Sequence, residues 1–324
     1  MTLSLAPGFL LQCGLENVPA ALKGGAVAIG NFDGVHLGHK AVLATARAEA
    51  GSRPALALTF EPHPRTFFRP DHPIPRLTPP PEKRLLLSRQ PLQGMVELTF
   101  DAALSSLSAE EFVSRVLVGA LEAEAVVVGW DFHFGKNRGG SPAFLQEAGE
   151  RHGFRVRIIE PYGGQAPVSS SAVRACLGEG DVAAANRLLG HLWFVMGEVI
   201  AGDRRGRELG YPTANLALPA ETPLAHGIYA VRVAVDGAVH GGVASFGRRP
   251  QFHDDGPALL EPYIFDFSGD LYGRTIGVEF VARLRGEERF DSTEALIAQM
   301  DRDAEAARAI LATPPDPAAP SAIG

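Results

Sequence analysis

The stretch GGAVAIGNFDGVHLGHKAVLATARAEA, residues 24–50, decides the first half of the fold. Its apolar run from Ala26 to Phe32 lacks polar alternation, as expected of a strand buried on both faces in a parallel sheet. Gly30-Asn31-Phe32-Asp33-Gly34 then breaks the run, and a helix begins around Gly38, with His36 and His39 on either side of that glycine. A strand that passes through a glycine-rich turn into a helix is the first limb of a crossover unit. Residues three apart on a helix share a face, so both imidazoles point the same way from the first turn.

The same rhythm continues outward. ALALTF (55–60), MVELTF (95–100), AVVVGW (125–130) and FRVRIIE (154–160) read as further strands. Between them, Ser108–Glu111 is a capping box and Ser141-Pro142 a cap followed by a first-turn proline. Strands alternating with such helices predict an open, Rossmann-like parallel sheet. Two short helices, SSAVRACLG and DVAAANRLLG, each end in glycine. From Leu192 the pattern changes to short β-branched and aromatic segments between glycine-rich turns: LWFVMGEVI, GIYAVRVAVDG, HGGVASFG, LLEPYIFDF and TIGVEFVARL. That spacing predicts a small antiparallel barrel. A capping box at Asp291–Glu294 opens a last helix. The reading gives domains 1–189 and 190–312, with the Pro- and Ala-rich residues 313–324 expected to be disordered.

The 324-residue chain suits two domains, and its net charge of −7 with scattered Lys and Arg carries no footprint for a nucleic-acid backbone. Cys13 and Cys176 stand far apart in unrelated contexts, which fits reduced thiols in a cytoplasmic protein. No stretch approaches the length of apolar sequence that crosses a membrane.

Zinc would need three or four protein ligands, and no neighbouring Cys, His or Glu completes a known spacing around His36 and His39. A phosphate explains more. A helix N-terminus offers free N–H groups and positive potential, glycines admit a phosphate chain, and two imidazoles can donate to oxygens whose charge grows in the transition state. The Walker motif is absent. GNFDGVHLGH resembles the H-x-G-H signature of the α/β nucleotidyltransferases, and FDGVHLGH is similar to the prokaryotic FAD synthetases. TFEPHP (59–64), VVVGWDFHFGKNRGG (126–140) and VSSSAVR (168–174) resemble that family's further motifs in the same order. The resemblance implies that Gly30, Asn31, Phe32, Asp33, Gly38 and Asp131 line the nucleotide. It also implies that Ser169, Ser170 and Arg174 form a second phosphate contact, at another helix start. The implied reaction is adenylyl transfer from ATP to FMN with Mg²⁺, giving FAD and pyrophosphate.

In the second half, GRELGYPTANL (206–216) is unusually polar and glycine-rich between two strands, and resembles the riboflavin kinase G-x-P-T-A-N motif at Gly210, Pro212, Thr213 and Asn215. Thr213 and Asn215 offer hard oxygens suited to Mg²⁺ on ATP phosphates. A kinase acting on a neutral hydroxyl benefits from a carboxylate base. Alternation places Glu261 with Leu259, Tyr263, Phe265 and Phe267, where desolvation favours a base. Glu279 falls on the more polar side of its strand and reads as solvated or ion-paired. Glu261 also matches the family's catalytic glutamate. Pro262 departs from the family and suggests an edge or a bulge; Ser245, Arg248 and Gln251 depart in the neighbouring loop. The resemblance spans about residues 15–312 and implies a bifunctional riboflavin kinase/FAD synthetase acting on riboflavin, FMN and ATP. An adenylyltransferase alone, or a flavin-binding regulator, would not need Thr213, Asn215 and Glu261 together. A tRNA-charging enzyme lacks support in the acidic charge and the missing anticodon-binding region.

Overall fold

The computed structural model describes residues 4–164, 166–201, 211–247, 258–314 and 316–323. Contacts divide them into two units, one of Leu5–Ile74 with Thr78–Ser169, the other of Ser4 and Pro75–Leu77 with the chain from Ser170 onward.

The first unit is built on β1 (Leu10–Cys13), β2 (Ala26–Ile29), β3 (Ala55–Glu61), β4 (Gly94–Thr99), β5 (Ala125–Gly129) and β6 (Arg155–Ile159), all parallel, in the order β1-β4-β3-β2-β5-β6. Its helices are α1 (Leu37–Ala50), α2 (Pro64–Phe68), α3 (Pro80–Ser88), α4 (Ala102–Ser106), α5 (Ala109–Glu111), which continues as π-helical turns over Phe112–Ala120, and α6 (Pro142–His152). The order runs outward in both directions from β2, so the carboxyl ends of β2 and β5 flank a topological switch point, where open α/β sheets bind ligands. The predicted capping box forms, with Ser108 and Glu111 exchanging hydrogen bonds, and Ser141 caps α6. β1 has no counterpart in the sequence reading. β2 stops at Ile29, three residues short of its apolar run, because Phe32 turns back into the core at 1 % exposure from left-handed backbone (φ 50°).

The second unit holds α7 (Ser170–Glu179), α8 (Val182–Leu189), β7 (Phe194–Glu198), β8 (Leu216–Leu218), β9 (Gly227–Val235), β10 (Ala238–Gly247), β11 (Ala258–Ile264), β12 (Thr275–Arg285) and α9 (Thr293–Leu311). The strands form an antiparallel sheet in the order β7-β12-β9-β10-β11-β8, and a bridge between Ile200 and Asn215 brings its two edges together as a barrel. Trp193, Tyr229, Phe246 and Phe280 fill the interior. Val173 and Leu177 of α7 and Val182, Ala185 and Leu189 of α8 belong to this same core. The contacts therefore divide the chain at Ser169/Ser170, two helices before the change of rhythm at 189/190. α9 covers the outer face, where Ala307 meets Ala230, Val243 and Phe265, and Arg285 pairs with Asp303 at 2.7 Å. Its cap is Ser292, one residue later than the expected box.

Two expectations are overturned here. Residues 313–324 were expected to be disordered, yet among those described Ala319, Ala322 and Ile323 are buried and the Leu192 N–H donates to the Pro320 carbonyl at 3.0 Å. Glu279 was expected to be solvated or ion-paired, yet it is fully buried beneath that strap. Its carboxylate accepts from the Ser321 hydroxyl (2.9 and 3.0 Å), the Ile323 N–H (3.0 Å) and the Ala322 N–H. The strap supplies backbone donors to an outward-facing carboxylate, so the outer face of β12 is closed by chain where alternation alone predicts water.

Candidate active sites

In the first unit the loop from Gly30 to His36 rises from the carboxyl end of β2 and turns into α1. His36 is itself the N-cap of α1, its Nδ1 accepting the His39 N–H at 3.3 Å. With Nδ1 occupied as acceptor, a neutral His36 carries its proton on Nε2 and donates from there. The two imidazoles stack, with centroids 3.6 Å apart and planes inclined by 16°. The Phe32 ring stands edge-on to His39 at 5.3 Å. Burial holds His39 well below the ordinary imidazole range, and the neighbouring His36 and Lys83 push in the same direction.

Glycine suits two positions where side chains crowd. A Cβ on Gly38 would meet the His36 ring at 3.2 Å, and one on Gly30 the Phe32 ring at 3.1 Å. Val35 also sits at positive φ (40°), which a β-branched residue rarely adopts, so the loop is strained. Asp33 does not face outward. It is 1 % exposed, and its Oδ1 accepts from the Thr78 N–H (3.0 Å) and hydroxyl (3.2 Å), while Thr78 Oγ1 accepts the Gly34 N–H (2.8 Å). Asn31 offers its carbonyl to the Thr59 hydroxyl at 3.2 Å. Sequence reading gave Thr59 no role of its own, although it opens the TFEPHP motif, and missed Thr78, whose signal was its place just before a proline-rich helix start, Thr78-Pro-Pro-Pro.

Asp131 is exposed just beyond β5, next to exposed Trp130. Ser169 and Ser170 are half-buried at the start of α7. Arg174 Nε donates to the Pro75 carbonyl at 2.6 Å. Among the described residues no group of three or more His, Cys, Asp or Glu could hold a metal ion.

In the second unit Gly210, Arg248 and Gln251 lie outside the described residues. Thr213 bridges Tyr263, the Ala214 N–H donates to the Pro262 carbonyl (3.0 Å), and Leu216 pairs with Leu260, so the register sets Asn215 opposite Glu261. Across β10, Ser245 also pairs with Glu261. Directly opposed residues share a face, so Asn215, Glu261 and Ser245 stand together on the outside of the barrel. Pro212 is exposed and precedes this run.

Pro262 marks neither an edge nor a bulge. β11 lies between β10 and β8, and its pairing with β10 runs unbroken through Ala244–Pro262. A residue's N–H and C=O point to the same side, so the missing donor faces Ala214 and leaves the β10 ladder intact. Asn215 is 7 % exposed and its Oδ1 is buried without a hydrogen-bond partner among the described residues. Such an orphaned acceptor fits a hard cation. Tyr211 packs edge-on to Tyr263 at 4.9 Å and hydrogen-bonds Asp301 of α9. Burial, with Asp301 adding to it, pushes the Tyr211 hydroxyl up to about 12.

Residues 18–172 match the family model for FAD synthetase, and residues 189–311 that for riboflavin kinase. The bifunctional riboflavin kinase/FMN adenylyltransferase of Pseudomonas fluorescens is 43 % identical over 311 residues, covering 92 % of this chain and 97 % of its own. The chain belongs to the bifunctional riboflavin kinase/FMN adenylyltransferase family. The enzymes of that name from Haemophilus influenzae and Escherichia coli K12 are 37 % and 38 % identical, each over 91 % of this chain and over 97 % and 96 % of their own lengths. A solved structure from Streptococcus pneumoniae, described as a macrolide-efflux protein, is 31 % identical with a TM-score of 0.81, covering 93 % of this chain and 99 % of its own. No described helix is long and apolar enough to cross a membrane. The histidine pair lies in the FAD synthetase match and Thr213, Asn215 and Glu261 in the riboflavin kinase match, whereas the strap over Glu279 lies beyond both.

Proposed function

We infer that this chain makes FMN from riboflavin and ATP, then FAD from FMN and a second ATP. The observation that carries it is the pairing of two distinct constellations in a chain of which 92 % aligns with a bifunctional relative. One is a stacked histidine pair at a helix start; the other is a threonine, an asparagine and a glutamate on adjoining strands. We assign adenylyl transfer to residues 1–189 and the kinase reaction to 190–312, and place the protein in the cytoplasm.

For adenylyl transfer, an FMN phosphate oxygen attacks the α-phosphorus of ATP, and the bond from that phosphorus to the bridging oxygen breaks to release pyrophosphate. The nucleophile is already anionic, so no general base is needed. His36, donating from Nε2, and His39 stabilise charge on the phosphate oxygens, and the α1 N-terminus adds its N–H groups. Gly30, Asn31, Phe32 and Gly38 shape the approach. Asp33 acts through Thr78 as the residue that holds the loop. Asp131 lies by the nucleotide, and Ser169, Ser170 and Arg174 supply the second phosphate contact.

For the kinase reaction, Glu261 accepts the proton of the riboflavin 5′-hydroxyl as its oxygen attacks the γ-phosphorus and ADP leaves. Asn215 Oδ1 and the Thr213 hydroxyl would hold Mg²⁺, which when bound neutralises phosphate charge. Gly210 and Pro212 shape the same segment. Incubating the purified protein with riboflavin and MgATP should give FMN first and FAD later. Formation of neither product refutes the assignment.

A further inference from the structure

Lys83 is fully buried on α3, and neither reaction described above uses it. A buried ammonium is costly unless paired and hydrogen-bonded. Here its Nζ donates to Thr59 Oγ1 (3.1 Å) and to the Phe60 carbonyl (3.3 Å), and it forms an ion pair with Glu61. Thr59, itself fully buried, passes the chain of hydrogen bonds on to the Asn31 carbonyl at 3.2 Å. Five residues before Lys83, Thr78 holds Asp33 and Gly34. One short segment, Thr78–Lys83, therefore fastens both ends of the Asn31–Gly34 loop that leads into the histidine pair.

We propose that Lys83 is a positioning residue for adenylyl transfer, fixing the Asn31–Gly34 loop through Thr59 and setting a permanent positive charge near His39. The proposal rests on the adenylyltransferase reading of this site. The charge has a chemical consequence. A buried imidazole that stacks on a second imidazole and feels the charge of a buried ammonium resists protonation, so His39 meets the nucleotide as a neutral donor. The titratable and charged groups concerned are His36 on the same helix and Lys83 from α3. Asp33 is occupied by Thr78, and Glu61, at the end of β3, is occupied by Lys83.

The test uses the full chain and follows both activities across pH. Lys83→Met with Glu61→Gln removes the charge without leaving Glu61 unpaired. Misplacing the loop should lower kcat/KM for FAD synthesis by ~10²-fold, leaving FMN synthesis unchanged. With one cause of the lowered His39 value gone, His39 protonates at higher pH, so the acid limb of the FAD profile moves to higher pH. Thr59→Val keeps the charge and cuts the link to Asn31. It should lower FAD synthesis while the profile stays in place, and it decides the loop-fixing role even where the double variant fails to fold. Unchanged FAD synthesis in Thr59→Val, or a double variant whose profile keeps its wild-type position, overturns the proposal. Absence of FAD synthesis in the wild-type protein supplied with FMN would instead overturn the parent reading.

Discussion

Replacing Glu279 separates two roles that one carboxylate now plays. Glu279→Leu keeps an apolar body of similar size beneath the strap but leaves the Ala322 and Ile323 N–H groups without their acceptor. A buried donor left unmade costs about 1–3 kcal/mol, so a strap that stayed in place would lose about 2–6 kcal/mol. Its remaining attachments are the Leu192–Pro320 hydrogen bond and the burial of Ala319, Ala322 and Ile323. Full burial of an isoleucine side chain contributes about 1.5–3 kcal/mol. These are comparable, and the expected outcome is release of the strap. Glu279→Gln behaves differently, because both N–H groups converge on Oε1, which a carboxamide retains.

Burial raises the Glu279 carboxyl above its ordinary value of 4.5, against the opposing pull of the bonds from Ser321, Ala322 and Ile323. A carboxyl with a raised folded value binds its proton more tightly in the fold. Its contribution to stability is thus full below the unfolded value and is lost as pH rises through the folded one. The neutral carboxamide lacks this dependence, so wild type should fall behind Glu279→Gln as pH rises from mildly acidic to neutral. Thermal melts of the three proteins at both pH values, with limited proteolysis of residues 313–321, measure it. A Leu variant with undiminished melting temperature and a protected strap, or a Gln variant as unstable as the Leu, would refute the reasoning.

Glu261→Gln should reduce FMN synthesis by ~10²–10⁴-fold while riboflavin still binds and FAD is still made from supplied FMN; loss of riboflavin binding by titration would recast Glu261 as a ligand contact. His36→Ala or His39→Ala should reduce FAD synthesis by ~10²–10³-fold and spare FMN synthesis, and equal loss of both in a steady-state assay would point to unfolding. A fragment of residues 170–324 should fold and make FMN but no FAD, because α7 and α8 share the barrel core. Its melting temperature should be lowered, since the Trp193 indole N–H loses the Leu77 carbonyl that accepts it at 2.9 Å. A cooperative melt without turnover would show that the kinase site needs more of the chain.

The parallel sheet was legible because continuous apolar runs and helix caps are local signals, and the barrel because alternation and glycine turns are local too. The histidine pair was singled out by residue type and spacing, and the Thr213, Asn215 and Glu261 set by alternation and by resemblance to family motifs; the register sets Asn215 opposite Glu261. What escaped depends on contacts distant in sequence. Thr78 and Lys83 look ordinary, and Thr59 has no role of its own, until three separate segments meet at the loop. Glu279 was misread because alternation says which face a residue takes, and only the strap 42 residues later decides whether that face is wet. Pro262 looked disruptive because its partners on the two sides, Ala214 and Ala244, cannot be told apart from sequence.

The packed barrel interior carries a last consequence. Among the described residues Trp193, Tyr229, Phe246 and Phe280 pack the interior, each at most 1 % exposed, while Asn215, Glu261 and Ser245 stand outside. The barrel is an anvil and not a container. Its inward residues and its outward ones answer to different pressures, so stabilising substitutions in the interior can accumulate without retuning substrate choice. Changes of specificity should fall on the outer face and the segments that border it. Heat tolerance and ligand preference should therefore be separately evolvable in this fold.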